Sequence, residues 1–348
     1  MKSYTKTVVE GEKIFVGVDQ DSKRWQVTIR ALDRELQTVN IEAGWSSLKN
    51  LLIAYQNHPI EIVYEAGYFG YSLYDEAIAF GARCVVTPPS LMPVQQGNRV
   101  KTDKRDSRKL ALYLAKGLLA EIYVPTPTER NHRMVARRRR QLISDRVAVQ
   151  ARIKSALKFY GIELMEEYWS KIYLTNLHSI KLGDKYANES FHSLLIQYES
   201  LRQQEAQQTK LLKELAKEEL YTERVKILCS IPGLGLITAM EILLELQDVA
   251  RFRRADQLAA YVGLTPSQHS SGDNIRMGRI TRMGKHTLRA MLVEASWQLI
   301  RKDTNMRFKY EAIKRRAGGK RAIVAIARKL LLAARRMLLS GSYYQKAA

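Results

Sequence analysis

A chain of 348 residues is long enough for two or three domains, and 46% apolar against 26% charged residues is the balance of a folded protein rather than a disordered one. Two distant cysteines, Cys84 and Cys229, fit no disulfide or zinc spacing. The start, "MKSYTKTVVEGEKIF", has no apolar signal core, and no run of roughly 18 uncharged apolar residues follows, so a membrane span is excluded and a soluble cytoplasmic protein is expected.

Charge is the informative quantity. Lys and Arg number 57 against 35 Asp and Glu, a formal net charge of +22. From Val225 to the end the count is 23 against 8. Such an excess predicts a nucleic-acid partner bound through phosphates in a salt-sensitive way.

In chain order the first part predicts α/β structure. "KIFVGVDQ" and "RWQVTIRAL" are strands joined by a turn at "DQDSKR", and "ELQTVNIEA" is a third strand. Apolar spacing predicts a helix over 45–56, "IEIVYEAG" a strand, 69–80 a helix, "RCVVTP" a strand, 106–118 a helix and "EIYVP" a last short strand. Three meandering strands followed by alternating helices and strands is the layout of an RNase H-like (RuvC-like) fold.

"VPTPTER" reads as a linker into helical sequence. Val135, Leu142, Val149 and Ala156 recur every seven residues, as do Leu194, Leu201 and Leu215 around polar Gln208, with Tyr198 and Leu212 at the second seam position. The pattern predicts two long helices that pair as a coiled-coil arm or dimerise. Arg137, Arg138, Arg139 and Arg140 fall on the first of them, as a phosphate-facing stripe rather than core.

The last part is mostly helical. In "SIPGLGLITAMEILLEL" the turn with Gly233 and Gly235 ahead of an apolar helix suggests a helix-hairpin-helix, whose glycines let backbone N–H groups approach a phosphate; an ordinary helical corner is the alternative. "YVGLTPSQHSSGDNIRMGRITRMGKHTLRAML" reads as a long basic loop in which Arg276, Arg279, Arg282 and Lys285 are phosphate-contact candidates. The expected domains are 1–126, 127–224 and 225–348.

Carboxylates carry the chemistry. Asp103 and Asp106 in "RVKTDKRDSRKLALYLAKG" lie three apart and share a helix face. Neighbouring cations could hold them apart as a solvated helix start, or a divalent metal could. Asp19 and Glu65 each end an apolar strand, where an unpaired buried charge costs several kcal/mol. An RNase H-like fold would gather these four, and an all-oxygen set suits magnesium or manganese, one or two ions clamping a scissile phosphate. Asp21 and Glu61 read as surface neighbours.

With "GVDQDSK", "YEAG" and "KTDKRDSRKLA" in the first third and "IPGLGLITA" and "YVGLTPSQHSSGDNIRMGRITRMGKHTLR" in the last, the chain resembles the DEDD transposases of bacterial insertion sequences, the IS-one-ten family and its IS-eleven-eleven branch. The resemblance spans nearly the whole chain. It implies that Asp19, Glu65, Asp103 and Asp106 bind Mg2+ or Mn2+. It also implies that a serine of "SSGD", Ser271 or its neighbour Ser270, attacks DNA to form a covalent phosphoserine link. It further implies donor and target DNA chosen by a structured guide (bridge) RNA. His269 could serve as base, although a solvated loop histidine is the plainer reading. The family signature often continues with a second glycine after "SG", where this chain has Asp273.

Two other functions share parts of this pattern. A junction-resolving metal nuclease would use the same acids with water as nucleophile and leave no adduct. A non-catalytic scaffold would have no use for four convergent carboxylates that oppose polyanion binding. The coiled-coil seam suggests at least a dimer, and exchange of four strands suits a tetramer.

Overall fold

The computed structural model describes residues 8–92, 103–163, 169–271, 274–281 and 283–345. The chain divides into two compact units, residues 1–124 and 125–348.

The first unit contains β1 (Ile14–Asp19), β2 (Arg24–Arg30), β3 (Glu35–Glu42), α1 (Trp45–Leu52), β4 (Ile60–Glu65), α2 (Ser72–Ala79), β5 (Arg83–Thr87) and α3 (Asp103–Ala115). The strands form one mixed sheet in the order β3-β2-β1-β4-β5. β1–β2 and β2–β3 are antiparallel, whereas β1–β4 and β4–β5 are parallel. Because successive side chains alternate faces, Ile14, Val16, Val18, Ile62 and Tyr64 pack with Leu48, Leu52 and Leu73 of α1 and α2. Phe15, Val63 and Val85 on the opposite face pack with Leu110 and Leu114 of α3.

The predicted strand "EIYVP" does not form. Ile122 donates one backbone hydrogen bond to the Val86 carbonyl at 2.9 Å, and Ile122 and Val124 lie against the core. Ile122 and Val124 are half-buried, but Pro125 has no N–H with which to extend a ladder.

The second unit begins with the long helix α4 (Pro127–Phe159), then α5 (Lys171–Ser179) and a second long helix α6 (Lys185–Leu215). Thr126 and Glu129 form a reciprocal capping box with Pro127 in the first turn, so α4 starts where sequence and physics agree. Asp184 caps α6 by accepting from the Ala187 N–H at 2.8 Å. α4 and α6 pack within the chain. Leu142, Val149, Ile153 and Leu157 are buried on α4, and Phe191, Leu195, Tyr198 and Leu212 on α6. Val135, Ala156, Leu194 and Leu201 of the seven-residue series are only half-buried, flanking the seam.

The remainder is α7 (Glu219–Cys229), α8 (Leu236–Leu246), α9 (Ala255–Val262), β6 (Pro266–Ser271), β7 (Asn274–Ile280), α10 (His286–Lys302), α11 (Thr304–Ala317) and α12 (Gly319–Ser340). The helices share one core, which includes Met240, Leu243, Leu258, Leu292, Ile326 and Leu331. The basic stretch predicted as one long loop is instead a two-stranded hairpin followed by the start of α10. β6 and β7 pair antiparallel from Pro266↔Ile280 to Ser271↔Asn274. "NIRMGRI" alternates apolar and polar residues, a strand signal masked by the surrounding glycines.

Candidate functional site

Asp19 and Glu65 end neighbouring parallel strands. Val18 pairs with Tyr64 in register, so the two carboxyl-bearing residues follow side by side, both half-buried, at the same edge of the sheet. Alternation puts them on the face of Phe15 and Val63, the face covered by α3. Glu61, on the same face but at the other end of β4, is buried and held by Lys13 at 2.8 Å and Arg83 at 3.0 Å rather than being a surface residue. Asp21 sits in the β1–β2 turn, where the Lys23 N–H donates to it at 3.1 Å and holds its carboxyl below the usual range.

Gly17 sets the distance between sheet and helix. A Cβ there would overlap the Ser107 carbonyl oxygen and stand 2.5 Å from the Ala111 nitrogen. Only hydrogen fits, so α3 lies almost on the backbone of β1. The buried Ser107 hydroxyl shares a 2.9 Å hydrogen bond with Thr28, itself opposite Gly17, and Arg108 donates to Glu35 at 2.7 Å. Ser107 and Ala111 cross Gly17 while Leu110 and Leu114 pack with Phe15 and Val63, so α3 runs counter to β1. Its first turn, Asp103 to Asp106, therefore lies toward the strand ends that carry Asp19 and Glu65. Acidic residues are also favoured there by the helix dipole. Asp106 is half-buried, and the Asp103 side chain lies outside the described residues.

The donors that this arrangement offers are all carboxylate oxygens, the chemistry preferred by hard divalent cations. Among the described residues no group of three or more Asp, Glu, His or Cys side chains is already gathered at metal-binding distance.

In the second unit Ser271 is the last residue of β6 and pairs with Asn274; Ser270 is opposite Ile275 and His269 opposite Arg276. Gly272 and Asp273 between the strands lie outside the described residues, as does Arg282. Arg279 is exposed on β7, and Lys285 is the residue preceding α10. Gly233 and Gly235 form the turn between α7 and α8. Gly233, at φ 98°, lies against α10, where a Cβ would be 2.7 Å from the Gln298 Cβ. Gly235 is exposed and precedes α8 with no side-chain cap.

The four consecutive arginines of α4, Arg137 to Arg140, do not form a uniform solvent-facing stripe. Arg139 pairs with Glu241 at 3.1 Å, and Arg140 pairs with Glu245 at 3.2 Å and Glu241 at 3.6 Å. Arg137 reaches Glu245 at 3.3 Å, while exposed Arg138 donates to Gln204. The reason lies on α8. Glu241 and Glu245 are both 3% exposed, and buried carboxylates require cationic partners. Burial raises the Glu245 carboxyl, but Arg137, Arg133 and Arg140 together outweigh it and hold the group below its ordinary pKa. These two acids escaped the sequence reading. Their i,i+4 spacing inside "AMEILLELQ", facing a helix with four consecutive arginines, was the available signal.

A family model described as "Transposase IS116/IS110/IS902 family" matches residues 225–311, and a transposase model of the DEDD type of IS110 matches residues 16–162. The chain is 26% identical over 298 residues to the putative transposase y4qE of Sinorhizobium fredii, covering 84% of this chain and 73% of that protein. It is 27% identical over 257 residues to the transposase for insertion sequence element IS1111A of Coxiella burnetii, covering 70% and 68%. It is 25% identical over 332 residues to the IS1533 transposase of Leptospira borgpetersenii, covering 92% and 94%.

Proposed function

The chain belongs to the IS110 family of insertion-sequence transposases, enzymes that cut and recombine DNA, and on that premise we propose that it is an RNA-guided recombinase with a serine nucleophile. Its first unit is RNase H-like in this reading, a proposal supported by the strand order β3-β2-β1-β4-β5 with an antiparallel meander followed by parallel strands. Asp19, Glu65, Asp103 and Asp106 would hold Mg2+ or Mn2+. The observation that carries the proposal is the close seat of α3 on Gly17, which directs its acidic first turn toward the adjoining ends of β1 and β4. A bound divalent ion supplies charge neutralisation at a phosphate.

Ser271 supplies the hydroxyl. Its Oγ forms a bond to the phosphorus of a DNA phosphodiester as the bond from phosphorus to the leaving strand oxygen breaks. The serine proton passes to a base, for which His269, two positions earlier on β6, is the nearest candidate in sequence. The leaving oxygen takes up a proton and departs as a hydroxyl. Attack by another strand's hydroxyl on the phosphoserine reverses these steps and joins the new strand. α4 and α6 serve as the coiled-coil arm (127–224) of a homodimer or tetramer, between a catalytic domain over 1–126 and a transposase domain over 225–348. The α7–α8 turn would act as a helix-hairpin-helix that contacts a DNA phosphate through Gly235, and exposed Arg138 and Arg279, with Arg276 and Arg282, would contact the backbone.

The test is a denaturing gel of the full chain with magnesium, its element's RNA and labelled DNA. A protein-linked DNA band is expected for the wild type and for Ser270→Ala, and none for Ser271→Ala. Free cleaved ends with no adduct in any of the three would replace the serine mechanism with that of a metal nuclease in which water attacks.

A further inference from the structure

A cavity of about 520 Å³ opens in the second unit where α4 passes the first turn of α10. Arg137, Arg140, Glu245, Lys285, His286 and Thr287 line it. The backbone that shapes it is constrained. Gly284 has φ 89°, and a Cβ there would overlap the Tyr261 carbonyl oxygen, which accepts from the Lys285 N–H at 3.1 Å. The 17-residue helix α10 then starts with no side-chain cap, so its first N–H groups have no side-chain acceptor beside the cavity.

Three cationic side chains face one carboxylate here, so the pocket favours an anion. The Lys285 ammonium makes no hydrogen bond among the described residues and stands 5.8 Å from the Tyr261 ring. Burial, reinforced by Arg137, Arg133 and Arg251 and opposed only by Glu245, holds its pKa below that of an ordinary lysine, a cost that an entering anion would relieve.

Two buried atoms have unused hydrogen-bonding capacity. The Nε of Arg140 stands 3.6 Å from the Glu241 Oε2, an ion pair longer than a hydrogen bond, and the Oε2 of Glu245 is an acceptor without a donor. The other oxygen of Glu245 is taken by Arg137 and Arg140. Buried groups of this kind are normally satisfied, and leaving one unmade is costly. The occupant that satisfies both is an anion that carries its own hydrogen-bond donor. A ribonucleotide has that combination, a phosphate and an adjacent 2′-hydroxyl; a deoxyribonucleotide lacks the second.

We propose that this pocket is a ribonucleotide site, in which a phosphate rests on the first turn of α10, Lys285 and Arg140 while the neighbouring ribose 2′-hydroxyl donates to Glu245. The pocket thereby selects RNA over DNA. The proposal rests on the chain being a nucleic-acid enzyme but is independent of whether Ser271 is the nucleophile.

The test is lysine acetylation of the full wild-type chain, mapped by mass spectrometry, in the presence of a short single-stranded RNA, DNA of the same sequence, or the same RNA with 2′-O-methyl groups. A charge-assisted hydrogen bond gained only by RNA should protect Lys285 about tenfold more with RNA than with either of the other two. Equal protection by RNA and DNA overturns the ribose contact, and no protection by RNA overturns the site. Glu245→Leu, which removes the acceptor and is confirmed folded by circular dichroism, should bring RNA and DNA protection to the same level; a folded variant that still prefers RNA overturns the proposal. The wild-type measurement decides the matter without that variant. Ser271→Ala should lose the DNA adduct yet keep the Lys285 protection, so failure of one reading is separable from failure of the other.

Discussion

Gly17 is the residue on which the first unit turns. Its missing side chain admits α3 to the backbone of β1, and the Thr28–Ser107 hydrogen bond locks the contact. Gly17→Ala should destabilise the unit by about 2 kcal/mol through overpacking, and should abolish strand cleavage at temperatures where the variant is still folded, because α3 and its aspartates are displaced. Thermal unfolding and a cleavage assay on the same preparation check both parts; full activity in the variant would contradict the role given to this contact. Glu241 is the corresponding residue of the second unit. Removing it takes from Arg139 its carboxylate partner and leaves Arg140 with Glu245 alone, so Glu241→Ala should cost about 3 kcal/mol, measured by denaturant unfolding. The exposed i,i+4 pair Lys210–Glu214, at 3.9 Å, should contribute almost nothing.

Glu245 also gives the cluster a pH dependence. Its folded-state pKa lies below the ordinary 4.5, so the unfolded chain binds its proton first as pH falls. The stabilisation is therefore fully present above pH 4.5 and is lost as pH drops through the lowered folded-state value. The unfolding midpoint of wild type should fall steeply in that acid window, and that of Glu245→Gln less steeply.

At the scale of elements, the α4–α6 pair is secured by its ends as much as by its seam. The capping box at Thr126 satisfies two orphan N–H groups of a 33-residue helix, and Thr126→Ala should lower stability by about 1 kcal/mol. The same measurement on Thr175→Ala, where the hydroxyl only bonds back within α5, should show less. The seven-residue repeat located these two helices; on α6 Tyr198, Leu212 and Leu215 of the expected seam are buried, whereas Leu195 is buried in place of Leu194 and Leu201 is half-buried. The β6–β7 hairpin escaped the sequence reading. Ser, Gly and His in "SQHSSGD" carry little strand propensity, and it is the cross-strand register with "NIRMGRI" that makes a strand of them.

At the scale of the molecule, a net charge of +22 dictates salt-sensitive binding. If about six phosphates are contacted, DNA affinity should fall on the order of a thousandfold between roughly 50 and 200 mM salt, which filter binding across a salt series would measure. A flat response would mean that the basic residues are spent on internal acids, as Arg139 and Arg140 are.

Local pattern was enough for the order of the first five strands and three helices of the first unit, though not for its expected last strand, for the two long helices of the second, and for the acids at the ends of β1 and β4. Each of these depends on periodicity or on a charge that stands out against apolar neighbours, and such signals survive in one dimension. Three features depended on the folded chain. The seat of α3 on Gly17, the pairing of the α4 arginines with Glu241 and Glu245, and the pocket before α10 join residues tens of positions apart or more. Their physical content is a distance or a desolvated charge, and neither exists until the chain has brought the partners together.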